Sequence, residues 1–104
     1  MAEEAVVMHF QGDPDVLAPR YAEGIRRFQA AHREIQPRSI VLGRGVGELV
    51  VMIVWPEGVS HEVLGRFMGE NLTDLGLPFP DPRTHLEVEA RSWEEIAGLA
   101  APVA

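Results

Sequence analysis

Two histidines and one tyrosine have side chains that can transfer protons. His9 lies in a short apolar segment, Tyr21 lies in the amphipathic segment that follows, and His32 lies near the end of that segment. Imidazole titrates near neutral pH, so a histidine in an apolar pocket can accept or donate a proton. If the fold brings these three residues together, we predict that they act in catalysis. The alternative for each histidine is a half-buried ring satisfied by a neighbouring polar group.

Four further residues are candidates for binding a substrate. Trp55 and Phe67 offer aromatic faces to a planar ligand, and Met68 offers an adaptable apolar wall. Asn71 shares a helical face with Phe67 and Met68 and adds an amide for polar contact. The alternative is that the aromatic and sulfur-containing side chains are ordinary core residues, and the sequence leaves both open.

The composition excludes several kinds of chemistry. The chain has 104 residues with no Cys, and all 9 basic residues are Arg. A thiolate nucleophile, a thiolate metal site, a disulfide and a lysine Schiff base are therefore excluded. The segment that begins at His61 lacks the second histidine of the zinc-binding His-Glu-x-x-His pattern. His85, Glu87 and Glu89 alternate along a predicted strand, which favours a solvated strand face over a metal site. We expect no metal and no cofactor.

The charge balance limits the partners. The formal net charge is −7, with 16 acidic residues against 9 basic ones. Phosphate binding needs concentrated positive charge, so we expect no nucleic-acid partner. No apolar run reaches the roughly 18 residues of a membrane span, and the first residues are acidic where a signal peptide is basic. We therefore expect a cytoplasmic protein without membrane contact, formed by a single domain over residues 1–104.

The hydrophobic periodicity predicts four strands and three helices. The strands are expected at residues 5–10, 39–44, 48–55 and 84–90, and the second and third form an antiparallel hairpin. A helix of about twenty residues starts at Asp13-Pro14 and ends before Pro37. A second helix is capped by Ser60 and stops at Gly76, and a short third helix covers residues 93–99.

This order of elements predicts an α+β, ferredoxin-like βαββαβ fold. Right-handed crossovers give a four-stranded antiparallel sheet with the first two helices on one face. The strands at 5–10 and 48–55 are apolar on both faces, yet helices are available to cover only one face. The uncovered face predicts a homodimer in which two sheets pack against each other.

A strand that ends in Trp, Leu49-Val-Val-Met-Ile-Val-Trp55, is followed by a short turn, a capping Ser60 and a helix that carries Phe67. In these features, over residues 5–90, the chain resembles the dimeric α+β barrel superfamily, which includes the antibiotic biosynthesis monooxygenase-like proteins. The resemblance implies a barrel made from two sheets and a small apolar ligand held between helices and sheet. Haem is not implied, because Gly65 stands where the haem-degrading branch has a histidine.

Three functions are compatible with this sequence. The first is a small cofactor-independent enzyme, a monooxygenase or isomerase, acting on an apolar aromatic or polyketide-like molecule between helices and sheet. The second is a non-catalytic dimer that binds a ligand or serves as an accessory protein. The third is a regulatory ligand-binding domain separated from a DNA-binding partner. An interior filled by Trp55, Phe67 and Tyr21 would favour the second function, and a ligand-sized cavity would favour the first.

Overall fold

The computed structural model describes residues 3–58 and 61–100, without the side chains of residues 61–64 and 67. The elements are β1 (Glu4–Gln11), α1 (Pro14–Ala31), β2 (Ser39–Gly45), β3 (Glu48–Trp55), α2 (His61–Leu75), β4 (Arg83–Glu87) and α3 (Trp93–Ala97). This is the predicted order of strands and helices. Within the described residues, no helix is both long enough and apolar enough to cross a bilayer.

The four strands form one sheet in the order β2-β3-β1-β4, and every neighbouring pair is antiparallel. The predicted α+β, ferredoxin-like fold is confirmed. The two strands that were predicted to be apolar on both faces, β1 and β3, occupy the centre of the sheet. A central position agrees with their apolar composition, because a central strand is flanked by a strand on each side and is less exposed than an edge strand.

Capping and turn residues set the ends of the elements. The Asp13 carboxylate accepts a hydrogen bond from the Asp15 N–H at 2.9 Å, and Pro14 occupies the first turn of α1, as predicted. The β2–β3 hairpin turns at Val46-Gly47, where Gly47 has φ of 70°. The predicted cap at Ser60 lies outside the described residues.

Three elements are shorter than the sequence predicts, and one of them is α3, which ends at Ala97 rather than at residue 99. Helix α1 ends at Ala31, because His32 leaves the helical region with φ of −134°. The residues between His32 and Ser39 then carry the chain to the sheet, where the Arg38 N–H donates to the Val54 carbonyl at 2.7 Å. Strand β4 ends at Glu87 rather than at residue 90, since only one further backbone bond, from the Val88 N–H to the Glu3 carbonyl, follows it.

The hydrophobic core lies between one face of the sheet and the two long helices. Phe10, Leu49 and Val51 are fully buried, and α1 covers them with the buried side chains of Leu17 and Tyr21. Arg27 of α1 donates to the Asp74 carboxylate of α2, so the two helices are also joined at their surface. This core places both helices over one face of the sheet.

The opposite face of the sheet, here called the open face, carries exposed apolar side chains. Val41 pairs with Met52, and both side chains are about half exposed, at 53% and 43%. Leu86 pairs with Ala5 and is 50% exposed. Strand alternation puts these residues opposite the core-facing residues of the same strands. The structure therefore leaves apolar surface on the face where the sequence predicted it.

Candidate functional site

A cavity of about 330 Å³ lies between the sheet and the helices α1 and α2. This volume falls at the lower end of the range of about 300–1,000 Å³ that is usual for small-molecule sites. Its walls are mostly apolar, with Val6, Met8 and Ile53 of the sheet facing Ile25 and Leu72 of the helices. Among the described side chains, four polar or charged ones also line the cavity, namely Tyr21, Asn71, Arg83 and His85.

Tyr21 is the predicted catalytic residue that lines the cavity. Its side chain comes from α1 and is 7% exposed, and its ring centroid lies 5.7 Å from that of Phe10. Burial raises the pKa of the Tyr21 phenol well above its ordinary value, because the apolar surroundings disfavour the phenolate. No group in the described part of the chain hydrogen-bonds to the Tyr21 hydroxyl. Tyr21 is therefore a neutral hydroxyl available as a hydrogen-bond donor to a ligand.

Three of the four predicted substrate-binding residues also line the cavity, and they come from two elements. Trp55 ends β3, whereas Met68 and Asn71 lie one turn apart on α2. The Trp55 ring packs edge-on against Phe28 of α1, with ring centroids 5.5 Å apart, so the two aromatic residues form one wall. The side chain of Phe67 lies outside the described residues, and its place in the wall stays a prediction.

The structure does not bring His9 to the cavity. Its neighbours Met8 and Phe10 face the helices, so alternation directs His9 to the open face. There its Nδ1 atom lies 3.3 Å from Oε2 of Glu48, and both side chains are about one-third exposed. The sheet separates this His9–Glu48 pair from the cavity.

His32 also lies outside the cavity lining. It caps the C-terminal end of α1, and its ring packs against the outer side of the aromatic wall, 5.0 Å from the Phe28 centroid. Its Nδ1 atom lies 3.7 Å from Oε1 of Glu34. The convergence of His9, Tyr21 and His32 that the sequence left open is thus absent from the described structure, and Tyr21 lines the cavity without them.

Among the described lining residues, sequence reasoning missed two charged or titratable side chains, both on β4. His85 pairs with Val6 and Arg83 pairs with Met8, so both side chains lie on the helix-covered face. The alternation of β4 was predicted correctly, and His85 was assigned to a solvated face. All five residues of β4 are exposed, in agreement with that assignment, but the face that carries His85 and Arg83 also borders the cavity. No local pattern in the sequence signals this placement, because alternation does not say which face of a strand meets the helices.

A carboxylate from β1 holds the His85 ring. Oε1 of Glu4 lies 2.6 Å from Nδ1 of His85, and the two side chains are 25% and 41% exposed. An ionised carboxylate only accepts hydrogen bonds, so Nδ1 donates, and the ring's other nitrogen, Nε2, carries the lone pair. His85 lines the cavity and is partly exposed, so solvent reaches this Glu4–His85 pair.

Comparisons with known proteins place this geometry in a known fold. No family model and no curated protein matches the chain. Among solved structures, it is similar to SnoaB, a cofactor-independent oxygenase from Streptomyces nogalater, with 16% identity, a TM-score of 0.59 and coverage of 88% of this chain and 97% of that one. It is also similar to a protein from Chloroflexus aurantiacus J-10-fl assigned as an antibiotic biosynthesis monooxygenase, with 12% identity, a TM-score of 0.61 and the same coverage of 88% and 97%.

The chain has the antibiotic biosynthesis monooxygenase-like fold. The resemblance predicted from the sequence is confirmed at the level of the fold. The monooxygenase-like fold is shared with the C-terminal domain of the MgtC protein from Mycobacterium tuberculosis, at 16% identity, a TM-score of 0.56 and coverage of 89% of this chain and 94% of that domain. A fold does not decide an activity, so the function has to be argued from the cavity.

Proposed function

We propose that this protein is a cofactor-independent oxygenase that acts on a planar, apolar aromatic or polyketide-like molecule bound in the cavity. The supporting observation is the cavity itself, about 330 Å³ with apolar walls and a few polar side chains. An interior filled by its own aromatic residues would have favoured a protein without a ligand. Sites for small molecules combine apolar walls with a few polar groups that orient the ligand, as this cavity does.

The lining residues divide into walls and orienting groups. Trp55 and Phe28 offer an aromatic wall to the planar rings of the ligand, and Met68 adapts to its outline. The Tyr21 hydroxyl donates a hydrogen bond to a ligand carbonyl, and its raised pKa keeps it protonated at neutral pH. Asn71 lies on the facing helix and supplies an amide to the same ligand.

The reaction needs little from the protein because the substrate supplies the electrons. In an anthrone, the methylene group between two aromatic rings loses a proton to give a conjugated enolate. The enolate reacts with molecular oxygen: the two C–H bonds of the methylene are replaced by one C=O bond, and the second oxygen atom leaves as water. The protein has to bind the ring system, exclude water and stabilise the negative charge that develops on the carbonyl oxygen. Tyr21 donates to that oxygen.

We further propose that the open face is covered by a second copy of the chain. Val41, Met52 and Leu86 expose apolar surface across three strands, and every copy presents the same surface. Two such faces are self-complementary, as the two-fold interface of a homodimer requires. The cavity lies on the other side of the sheet, so each subunit keeps its own site.

Oxygen uptake with an anthrone tests the proposed activity. We expect one molecule of oxygen to be consumed for each anthraquinone formed, and Tyr21→Phe to lower kcat/KM about 10- to 100-fold because a donor to the developing oxyanion is lost. Ala30→Ser, on the exposed surface of α1, is the control. If Tyr21→Phe keeps full activity, Tyr21 has no role in the mechanism. If the folded wild-type protein consumes no oxygen with an anthrone, the oxygenase proposal is refuted. His9→Ala and His32→Ala should retain turnover, since neither ring lines the cavity.

A further inference from the structure

We propose that Glu4 and His85 form a proton-accepting pair that removes the proton of the bound aromatic ligand, and that Arg83 holds the enolate or phenolate that results. The inference deepens the proposed function and rests on it for the aromatic nature of the ligand. It assigns a ligand class, an aromatic molecule with an acidic hydroxyl or an enolisable carbonyl.

The first support is geometric. Glu4 and His85 are 81 residues apart in the chain, and the β1–β4 pairing brings them together on the cavity side of the sheet. In the neutral ring, this contact of 2.6 Å favours the tautomer with the proton on Nδ1 and the lone pair on Nε2. A histidine held by a carboxylate in this way is oriented to accept a proton at its second nitrogen.

The second support comes from the chemistry of the other lining groups. Burial raises the pKa of Tyr21, so its hydroxyl donates a hydrogen bond and is not a base at neutral pH. The Asn71 amide and the Arg83 guanidinium do not accept protons at neutral pH. α2 contributes no titratable side chain to the described lining, and the titratable groups on the other elements are Tyr21, Arg83 and His85 itself. Among the described lining residues, proton acceptance therefore falls to His85.

The third support is the charge beside the pair. Arg83 lies two residues before His85 on the same strand face and also lines the cavity. Its guanidinium lies 5.6 Å from the centroid of the Phe79 ring. Among the described side chains, which exclude those of residues 61–64 and 67, no carboxylate forms an ion pair with Arg83. A cation that lines an apolar cavity without an acidic partner in the described chain is suited to an anionic ligand.

The proton transfer is balanced without any further reactant. An O–H bond of a phenol or enol, or the C–H bond of an anthrone methylene, breaks and leaves its electron pair on the ligand. The proton bonds to Nε2 of His85, and the Glu4 carboxylate faces the imidazolium across Nδ1. The ligand oxygen, now negatively charged, pairs with the Arg83 guanidinium. In the oxygenase reaction, this is the step that produces the enolate.

Alizarin, a dihydroxyanthraquinone that changes colour when it ionises, reports on this step without oxygenation. We expect the apparent pKa of bound alizarin to fall by at least about one unit relative to free alizarin, a tenfold change in its ionisation constant. His85→Gln and Arg83→Gln should each remove most of that shift. Glu4→Gln should reduce it, because the amide keeps a hydrogen-bond acceptor but loses the charge that faces the imidazolium. Glu70→Gln is the control, because it removes the same charge from the exposed surface of α2, outside the lining, and should keep the full shift.

The outcomes separate this inference from the proposed oxygenase. Alizarin that fails to bind the folded wild-type protein, or a shift that His85→Gln and Glu4→Gln leave unchanged, overturns the Glu4–His85 pair. If the wild-type protein consumes oxygen with an anthrone, but His85→Gln and Glu4→Gln leave the pKa shift of alizarin unchanged, the oxygenase proposal stands and the Glu4–His85 pair is refuted. A shift that depends on His85, in a protein that consumes no oxygen, supports the pair and refutes the oxygenase. Circular dichroism checks that each variant is folded. If His85→Gln or Glu4→Gln does not fold, the other of these two variants decides whether the pair lowers the pKa of alizarin.

Discussion

The rings of Phe28 and Trp55 meet at an angle of 60°, with centroids 5.5 Å apart, and this contact joins α1 to the end of β3. Both rings are nearly buried, at 5% and 7% exposed, and both line the cavity. The contact therefore does two things: it stabilises the packing of α1 on the sheet, and it builds the aromatic wall of the candidate site. A change in either ring is expected to affect stability and binding together.

Phe28→Ala should lower the free energy of unfolding by about 3 kcal/mol, the low end of the range for deleting a buried aromatic ring. The low end applies because part of the ring borders a cavity and not packed atoms. Urea denaturation followed by circular dichroism measures the change. Phe79→Ala makes the same deletion at a ring that is 68% exposed and should lose less than about 1 kcal/mol. Equal losses at the two positions would contradict the packing role of Phe28.

Tyr21 should remain protonated in the folded protein well above pH 10. The chain has one Tyr, no Cys and no Lys, so Tyr21 is the side chain of the unfolded chain that titrates between roughly pH 9 and pH 12. The unfolded chain releases this proton near pH 10 and the folded chain releases it later, since burial raises the pKa. Between those two values the folded state binds more protons, so the free energy of unfolding falls as pH rises, by about 1.4 kcal/mol at pH 11.

Absorbance at the phenolate wavelength and denaturation at several pH values measure both effects. Tyr21→Phe is the control, and its stability should be nearly constant from pH 9 to pH 11, because no other side chain titrates there. A phenol that ionises near pH 10 in the folded wild-type protein would show that Tyr21 is open to solvent, and would remove the basis for its role as a neutral donor.

Two glycines of α2 provide a matched test of the cavity. Gly65 lines the cavity and Gly69 does not, and a Cβ built on either one meets no described atom within 4 Å. Replacing a glycine inside a helix with leucine raises helix stability by up to about 1 kcal/mol, so neither variant should be less stable than the wild type. Gly65→Leu should block the binding of alizarin or an anthrone, while Gly69→Leu should bind normally. Equal binding by the two variants would place the ligand elsewhere.

Met52→Glu should separate the proposed homodimer into monomers. Met52 lies at the centre of the open face, 43% exposed, and a carboxylate there would lie opposite its own copy in an apolar interface. Sedimentation velocity should give a dimer for the wild type and a monomer for Met52→Glu. Ala30→Glu, on the exposed surface of α1, adds the same charge away from the sheet and should remain dimeric. A wild-type protein that sediments as a monomer at high concentration would refute the dimer.

Most of the fold could be predicted because its signals are local. Asp13-Pro14 starts α1, and β3 was predicted with the bounds that the structure has, Glu48–Trp55. Strand ends were less certain, since β4 stops at Glu87 where its pairing with β1 ends. The alternation of apolar and polar residues continues to residue 90, although no partner strand is available there. The sequence therefore overestimated the length of β4.

The site was predicted in part: Trp55 of β3 lines the cavity as predicted, whereas His32, which follows the last residue of α1, does not. Tyr21, Met68 and Asn71 lie on helices whose apolar faces are read directly from their periodicity, and these three residues do line the cavity. His9 lies on a strand that is apolar on both faces, where alternation gives two sets of residues but does not say which set meets the helices. The sequence offered His9 for the cavity, and the structure places it on the open face.

The sequence by itself determined the order of the elements, the two-faced apolar strands and the exclusion of thiol and lysine chemistry, because composition and short-range periodicity carry that information. Tertiary structure alone decided which polar groups share the cavity. Glu4 and His85 are separated by 81 residues, and only the register of β1 against β4 brings their side chains to one face. A shift of that register by one residue would turn His85 to the opposite face, so no local pattern could have assigned the pair.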